Sequence, residues 1–323
     1  DSFLKKHSSK TNHTHTKIGC DKLGIYGGSY CIPSDQMDEF YKLYKKHIKD
    51  KEAYFTEKQL EEGPLLIDLD FRYDPDIEER IHNLNDIVNI VQSLFMLLSE
   101  IKVPNDKTVS CYIFEKPNVN MSSEEVTKDG IHIIMDVKMD FNEKIIFRNK
   151  LLKSICEVFQ HIPITNTWDQ VVDEGVMKGS VNWQLYGSRK PGNEAYELKY
   201  VFHGIFQSEW TIEQINFDEE YIYEHFVKFT ARNSDLIVLK QNKQIKEEYD
   251  KIKTQRDNGK LRKCKVKLIT SYQNPYYEIN SVDMLESYVD KLLEECPLDQ
   301  QYIKDTHNYT MTLDETYYGE GSY

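Results

Sequence analysis

The chain has 323 residues, 39% hydrophobic and 29% charged, with 41 Lys and Arg against 54 Asp and Glu for a formal net charge of −13. That is length enough for a core in one large domain or two smaller ones, and the acidic balance argues against a protein whose whole surface grips nucleic acid. Six cysteines without a CxxC pair argue against a disulfide framework and suit a reducing compartment, while the most apolar stretch, 87–98, is interrupted by Asn89, Gln92 and Ser93 and reads as no membrane span. No secretory signal is visible, and a chain that begins at Asp1 without Met is expected to be a piece of a longer protein.

Residues 1–20 are polar and read as an arm; His13, His15, Cys20 and Cys31 match no common ligand spacing, so no zinc is expected. Ser34-Asp35 reads as the cap of a helix with the stripe Met37, Phe40, Leu43, Tyr44 and Ile48. Next comes the apolar run 65–72, which carries Asp68 and Asp70 between Gly63-Pro64 and Asp74-Pro75 and reads as a buried strand. Residues two apart on a strand share a face, so the two acids project together. Like charges side by side on a buried strand are costly unless a cation sits between them, which points to Mg²⁺ or Mn²⁺; the plainer alternative is a strand end with two solvated acids.

The spacing then predicts a helix over 83–101, a strand over 109–114, a polar loop over 116–129 and a strand over 130–137. That last strand is preceded by Lys128, so Lys128, Gly130 and His132 share one face: a cation, a backbone open to close approach, and an imidazole. A histidine there is more often structural than functional. An amphipathic helix is expected over 141–159, then the run Val171-Val172-Asp173, whose acid is either a turn residue or a third metal ligand. Strands over 181–186 and 196–206 flank the loop 187–192, where Ser188, Arg189 and Lys190 offer a hydroxyl and two cations to an anion or form a solvated turn. Interleaved helices and strands make 20–210 a mixed α and β domain. Beyond 215 the chain reads as helical and charged, and 240–267 is strongly basic, a linker or a DNA contact.

Three acids, a GxH strand and a GSRK loop in this order describe a pocket for two divalent cations and a triphosphate, as two-metal nucleotidyl transfer requires. These residues resemble the archaeo-eukaryotic primase superfamily: Leu66-Ile67-Asp68-Leu69-Asp70 is similar to its first motif, Gly130-Ile131-His132 to its second and Val172-Asp173 to its third. Within it the chain most resembles the primase domains of primase-helicases from nucleocytoplasmic large DNA viruses. The resemblance implies an α+β fold, with an α/β module and an RNA-recognition-motif-like sheet over 21–215, and a helical, charged region over 216–323 leading to a helicase domain outside this chain. It implies a DNA-templated primase, extending to primase-polymerase activity, with single-stranded DNA and NTP or dNTP as partners and no membrane.

On the same basis Asp68, Asp70 and Asp173 would be catalytic metal ligands. Lys128, Gly130, His132, Ser188, Arg189 and Lys190 would bind nucleotide, and Arg72, Trp183 and Tyr186 would contact DNA. The implied location is intracellular, in the host cytoplasm at a viral factory or in the nucleus. Gln184 stands where related enzymes often have Arg, and residues 313–318 resemble the start of the domain that follows in those proteins. The competing readings are a catalytically weak DNA-binding module and a DxD glycosyltransferase.

Overall fold

The computed structural model describes residues 2–121 and 125–258. Contacts divide the chain into two units after Lys251, and the first of them, Asp1–Lys251, carries the fold. In chain order its elements are α1 (Ser2–Lys6), β1 (His15–Lys17), β2 (Gly28–Tyr30), α2 (Met37–Ile48), β3 (Phe55–Glu57), β4 (Glu62–Tyr73), α3 (Leu84–Ile101), β5 (Lys102–Val103), β6 (Val109–Glu115) and β7 (Thr127–Asp140). They continue with α4 (Phe141–Phe159), α5 (Trp168–Val171), α6 (Glu174–Met177), β8 (Trp183–Gln184), β9 (Glu197–Phe206), β10 (Trp210–Ile215), α7 (Glu219–Glu224) and β11 (Lys240–Gln241), and α8 (Lys246–Asp257) begins just before the division. The fold is α+β.

Two antiparallel sheets carry the architecture: a five-stranded one in the order β10-β9-β6-β7-β4 and a four-stranded one in the order β2-β1-β3-β8. On the larger sheet the odd-numbered residues Ile67, Leu69, Phe71, Ile131 and Ile133 are fully buried. The helices α3 and α4 pack on each other and against this sheet, and each opens on a capping box, Asn83 with Asp86 and Asp140 with Glu143. The observed limits of α4 are those the spacing predicts, because a true N-cap and an apolar stripe coincide there. By length and composition α3 is apolar enough to cross a membrane, contrary to the reading of 87–98, but half of it is buried and its apolar residues serve the core.

The even-numbered face of the sheet behaves differently. Leu66, Tyr112 and Ile134 are buried in a cluster with Trp183 and Phe229, and further along the same face the side chains emerge, from Asp68 (25% exposed) to Asp70 (38%) and Arg72 (43%). The site lies where this face leaves the core.

Residues 1–20 are not an arm. β1 is an inner strand of the four-stranded sheet, and His15 is fully buried with Nε2 3.6 Å from Glu57 on β3. Glu57 also accepts from Tyr41 and from the backbone N–H of Ala231, and His15 Nδ1 bonds the Thr14 hydroxyl, whereas His15 Nε2 is buried without a hydrogen-bond partner. Nor does the fold stop at 215: Phe226 and Phe229 are buried and Ile237 pairs with β7. The strand expected over 181–186 shortens to β8, and β10 has no counterpart among the expected elements. The basic stretch beyond 258 and the segment 313–318 lie outside the described residues.

Candidate active site

The Asp68 strand and the His132 strand are neighbours in register. Asp68 faces His132, Asp70 faces Gly130 and Arg72 faces Lys128, so both motifs share one cross-strand patch. A shift in register between Pro64 and Leu65 sets this alignment; without it every pair would slip. His132 Nε2 lies 3.5 Å from Asp68 Oδ1. The imidazole is held between two aromatic rings, stacked on Tyr196 at 3.5 Å between centroids and against Trp183 at 4.5 Å. Burial, with Lys116 and Lys190 nearby, pushes its pKa well below the ordinary histidine value, so the ring is neutral.

Gly130 has a more specific reason than ligand approach. A Cβ there would stand 2.4 Å from the Tyr196 hydroxyl and 3.2 Å from the Leu69 carbonyl, so the missing side chain is the space this tyrosine fills.

Asp173 arrives on the free edge of β4. Its backbone N–H donates to the Asp68 carbonyl (3.0 Å), Val172 bridges Leu69, and Asn166 both donates to the Asp70 carbonyl and accepts from the Arg72 N–H. The buried guanidinium of Arg148, from α4, holds the segment by donating to the carbonyls of Val172 and Asp169. The Asp173 carboxylate itself caps α6, its Oδ1 accepting from the N–H groups of Gly175 and Val176. Among the described residues no three or more His, Cys, Asp and Glu side chains are gathered to hold a metal ion unaided. The three acids nonetheless feel one another: burial first, then Asp70 and Asp173, pushes the Asp68 carboxyl up to about 7, while Lys190 and Lys116 ease it.

The loop 187–192 divides. Lys190 is exposed and close enough to bear on both Asp68 and His132. Ser188 is not offered to a ligand: its buried hydroxyl bonds the Tyr44 hydroxyl (2.7 Å) and accepts from the Phe55 N–H, tying α2 to β3. Arg189 turns to Glu52 (3.1 Å). Gln184 donates to the Ser188 carbonyl. Two expected DNA contacts are also internal: Trp183 is buried against His132, and Tyr186 packs on Phe114, Phe226 and Phe229. Arg72 stays half exposed and pairs with Asp70 at 3.3 Å. Lys128 is exposed, its backbone paired to Asn120. Lys116 and Tyr196 belong to the site but carry no motif to announce them; a lysine directly after a strand that neighbours the GxH strand is the one signal available.

A face with paired acids, a neutral histidine and unpaired lysines, on an antiparallel sheet met by a second sheet, defines a primase-type core. The chain belongs to the family of the C962R protein N-terminal AEP domain, whose model matches residues 21–202, and so to the archaeo-eukaryotic primase type. It is also 31% identical over 180 residues to a protein of Acanthamoeba polyphaga mimivirus described as "Putative helicase L207/L206". That match takes in 54% of this chain and 18% of the length of the mimivirus protein.

Proposed function

We propose that the chain is the primase part of a viral primase-helicase, making primers on single-stranded DNA from NTP or dNTP and lengthening them as a primase-polymerase. The observation that carries this is the register of β4 and β7, which sets Asp68 and Asp70 against His132 and Gly130 on one emerging face. The donor set suits hard divalent cations, since all three acids offer oxygen and the raised Asp68 pKa marks a negative cluster that a cation would relieve. Asp68, Asp70 and the oxygen of Asp173 not used in the cap would hold Mg²⁺ or Mn²⁺ ions, which when bound activate a 3′-hydroxyl and neutralise the leaving pyrophosphate.

The protein's own groups do the rest. His132, neutral and fixed between two rings, presents an N–H to a phosphate oxygen rather than a charge. Lys128 and Lys190 supply charge to the triphosphate, and Arg72 stands at the open end of the face, within reach of a DNA backbone. The mimivirus match supports a helicase domain as the partner in the whole protein; its work in viral DNA replication inside the host cell is part of the same proposal.

A catalytically weak DNA-binding module is the second reading, favoured by the inward turn of the Asp173 carboxylate onto α6. The DxD glycosyltransferase reading draws no support from the family.

Labelled NTP or dNTP incorporation on single-stranded DNA, with Mg²⁺ or Mn²⁺, tests the proposal. Template-dependent product from the 323-residue chain, lost in Asp68→Asn/Asp70→Asn, is the expected result. Wild-type DNA binding with no product under either metal would overturn it in favour of the binding module.

A further inference from the structure

Lys116 and Lys190 bear on the carboxylate face and Lys128 stands across from Arg72 at its open end; among the described residues none of the three makes an ion pair. Lys116 is the unusual one. It is half-buried at the end of β6, with Nζ 5.1 Å from the centroid of the Tyr196 ring, the ring that stacks on His132. Burial and then Lys190 work against its charge, while Asp68, Asp70 and Glu194 favour it without forming an ion pair with it. Two ammonium groups that repel, near acids they do not pair with, gain from an anion placed between them.

The surroundings are built rather than incidental. Arg80 donates to the Lys116 carbonyl (2.9 Å) and to both carboxylate oxygens of Asp129, so one guanidinium anchors the backbone next to Lys116 and next to Gly130. Asn118 donates from its backbone and its side chain to Glu194, and Asn120 donates to Asn193, which ties the Lys116 loop to the loop between Lys190 and Tyr196. The two lysines are therefore carried on segments bonded to each other, with Lys116 over the Tyr196 ring.

We infer that Lys116, resting on Tyr196 and paired with Lys190, is a polyphosphate seat that binds the terminal phosphates of the incoming nucleotide. Tyr196 is a positioning residue: it fills the space over Gly130, orients His132 on one contact and supports the Lys116 ammonium on another. The inference rests on the nucleotidyl-transfer reading for the identity of the nucleotide, but it makes a claim about phosphate that can be tested without catalysis.

The experiment uses the 323-residue chain with two readouts, affinity for inorganic triphosphate with Mg²⁺ in the absence of DNA, and KM against kcat for nucleotide in templated incorporation. Lys116→Met is expected to weaken triphosphate binding and raise KM about tenfold, with kcat within about threefold, the scale of one charge-assisted contact. Lys116→Arg should recover most of the loss. Tyr196→Phe keeps the ring and should stay within about twofold, whereas Tyr196→Leu should match Lys116→Met, and the double variant should be no worse than the weaker single one. Melting temperatures screen out unfolded variants, and Tyr196→Phe against Lys116→Met keeps the comparison if Tyr196→Leu does not fold.

If wild type incorporates nucleotide and Lys116→Met leaves both KM and triphosphate binding unchanged, the seat is wrong and the polymerase reading survives. If wild type binds triphosphate through Lys116 yet incorporates nothing, the seat stands and the polymerase reading falls. Triphosphate binding that is equal in wild type and Lys116→Met overturns the seat whatever the catalytic result.

Discussion

Two charged clusters lie one residue apart on the same pair of strands, and they are built on opposite rules. Beneath the site, Arg80 is bonded to both oxygens of Asp129, to Glu115 and to the Lys116 carbonyl, and His82 completes the set by bonding Glu115 at 2.9 Å. Nearly every charge there meets its opposite. One position further along each strand, Lys116 and Gly130 open the other cluster, where three acids stand near Lys116 and Lys190 and Arg72 on Asp70 is the one ion pair between fixed charges among the described residues. Paired buried charge holds a structure together; unpaired charge of both signs, held rigid by its neighbours, is a mould for something that carries both signs itself. A metal-bound polyphosphate has that character.

The contrast can be broken from either side. Arg80→Ala should cost the most, about 3–5 kcal/mol of folding stability by urea titration, because it takes the guanidinium from two buried carboxylates and leaves them only His82 and the Gly130 N–H. A loss below about 1 kcal/mol would show that water already satisfies them. Asp68→Asn should cut templated incorporation by at least about 100-fold with no loss of stability, the reverse of Arg80.

The same substitution, without metal, should raise stability. The Asp68 carboxyl goes from 3.8 to about 7 on folding, so the unfolded chain releases this proton first and the folded state is penalised increasingly from about pH 4 to about pH 7. Asp68→Asn should thus gain about 2 kcal/mol at pH 8, less than the full shift allows since the side chain is a quarter exposed, and nothing at about pH 3.5. A gain that does not depend on pH would refute the electrostatic cause. The smallest effect concerns Gly130→Ala, expected to cost about 1 kcal/mol through the clash with the Tyr196 hydroxyl and to be partly rescued by Tyr196→Phe, since the ring carbon behind that hydroxyl is at an ordinary 3.5 Å. Equal melting temperatures for the single and double variants would remove that explanation.

Much of this site can be read from the chain because it sits on regular structure. Alternation along 65–72 puts Asp68 and Asp70 on one face, and the same parity groups Lys128, Gly130 and His132. What parity cannot supply is that the two groups face each other, since this depends on the shift at Pro64 and on which strands pair. Ser188 misleads for a related reason: a hydroxyl in a glycine-flanked loop looks available until Tyr44, 144 residues earlier, is seen to bond it. Trp183 and Tyr186 look like stacking surfaces for bases but fill the core between the sheets. β1 is hidden in the sequence because three polar residues carry no strand signature, and only the burial of Glu57 beside His15 explains why they pair.

One short turn has a mechanical consequence. The 3₁₀ turn Phe226–Phe229 sends Phe226 into the aromatic cluster of Phe40, Tyr41 and Tyr44, and Phe229 into the cluster of Tyr112, Phe114 and Trp183. The first cluster includes Phe55 of the four-stranded sheet and the second lies on the five-stranded one. A single rigid turn is thus riveted into both, with Tyr186 packed against each. The two sheets cannot hinge apart here without drawing a phenylalanine from its socket, so this turn works against relative movement of the two sheets.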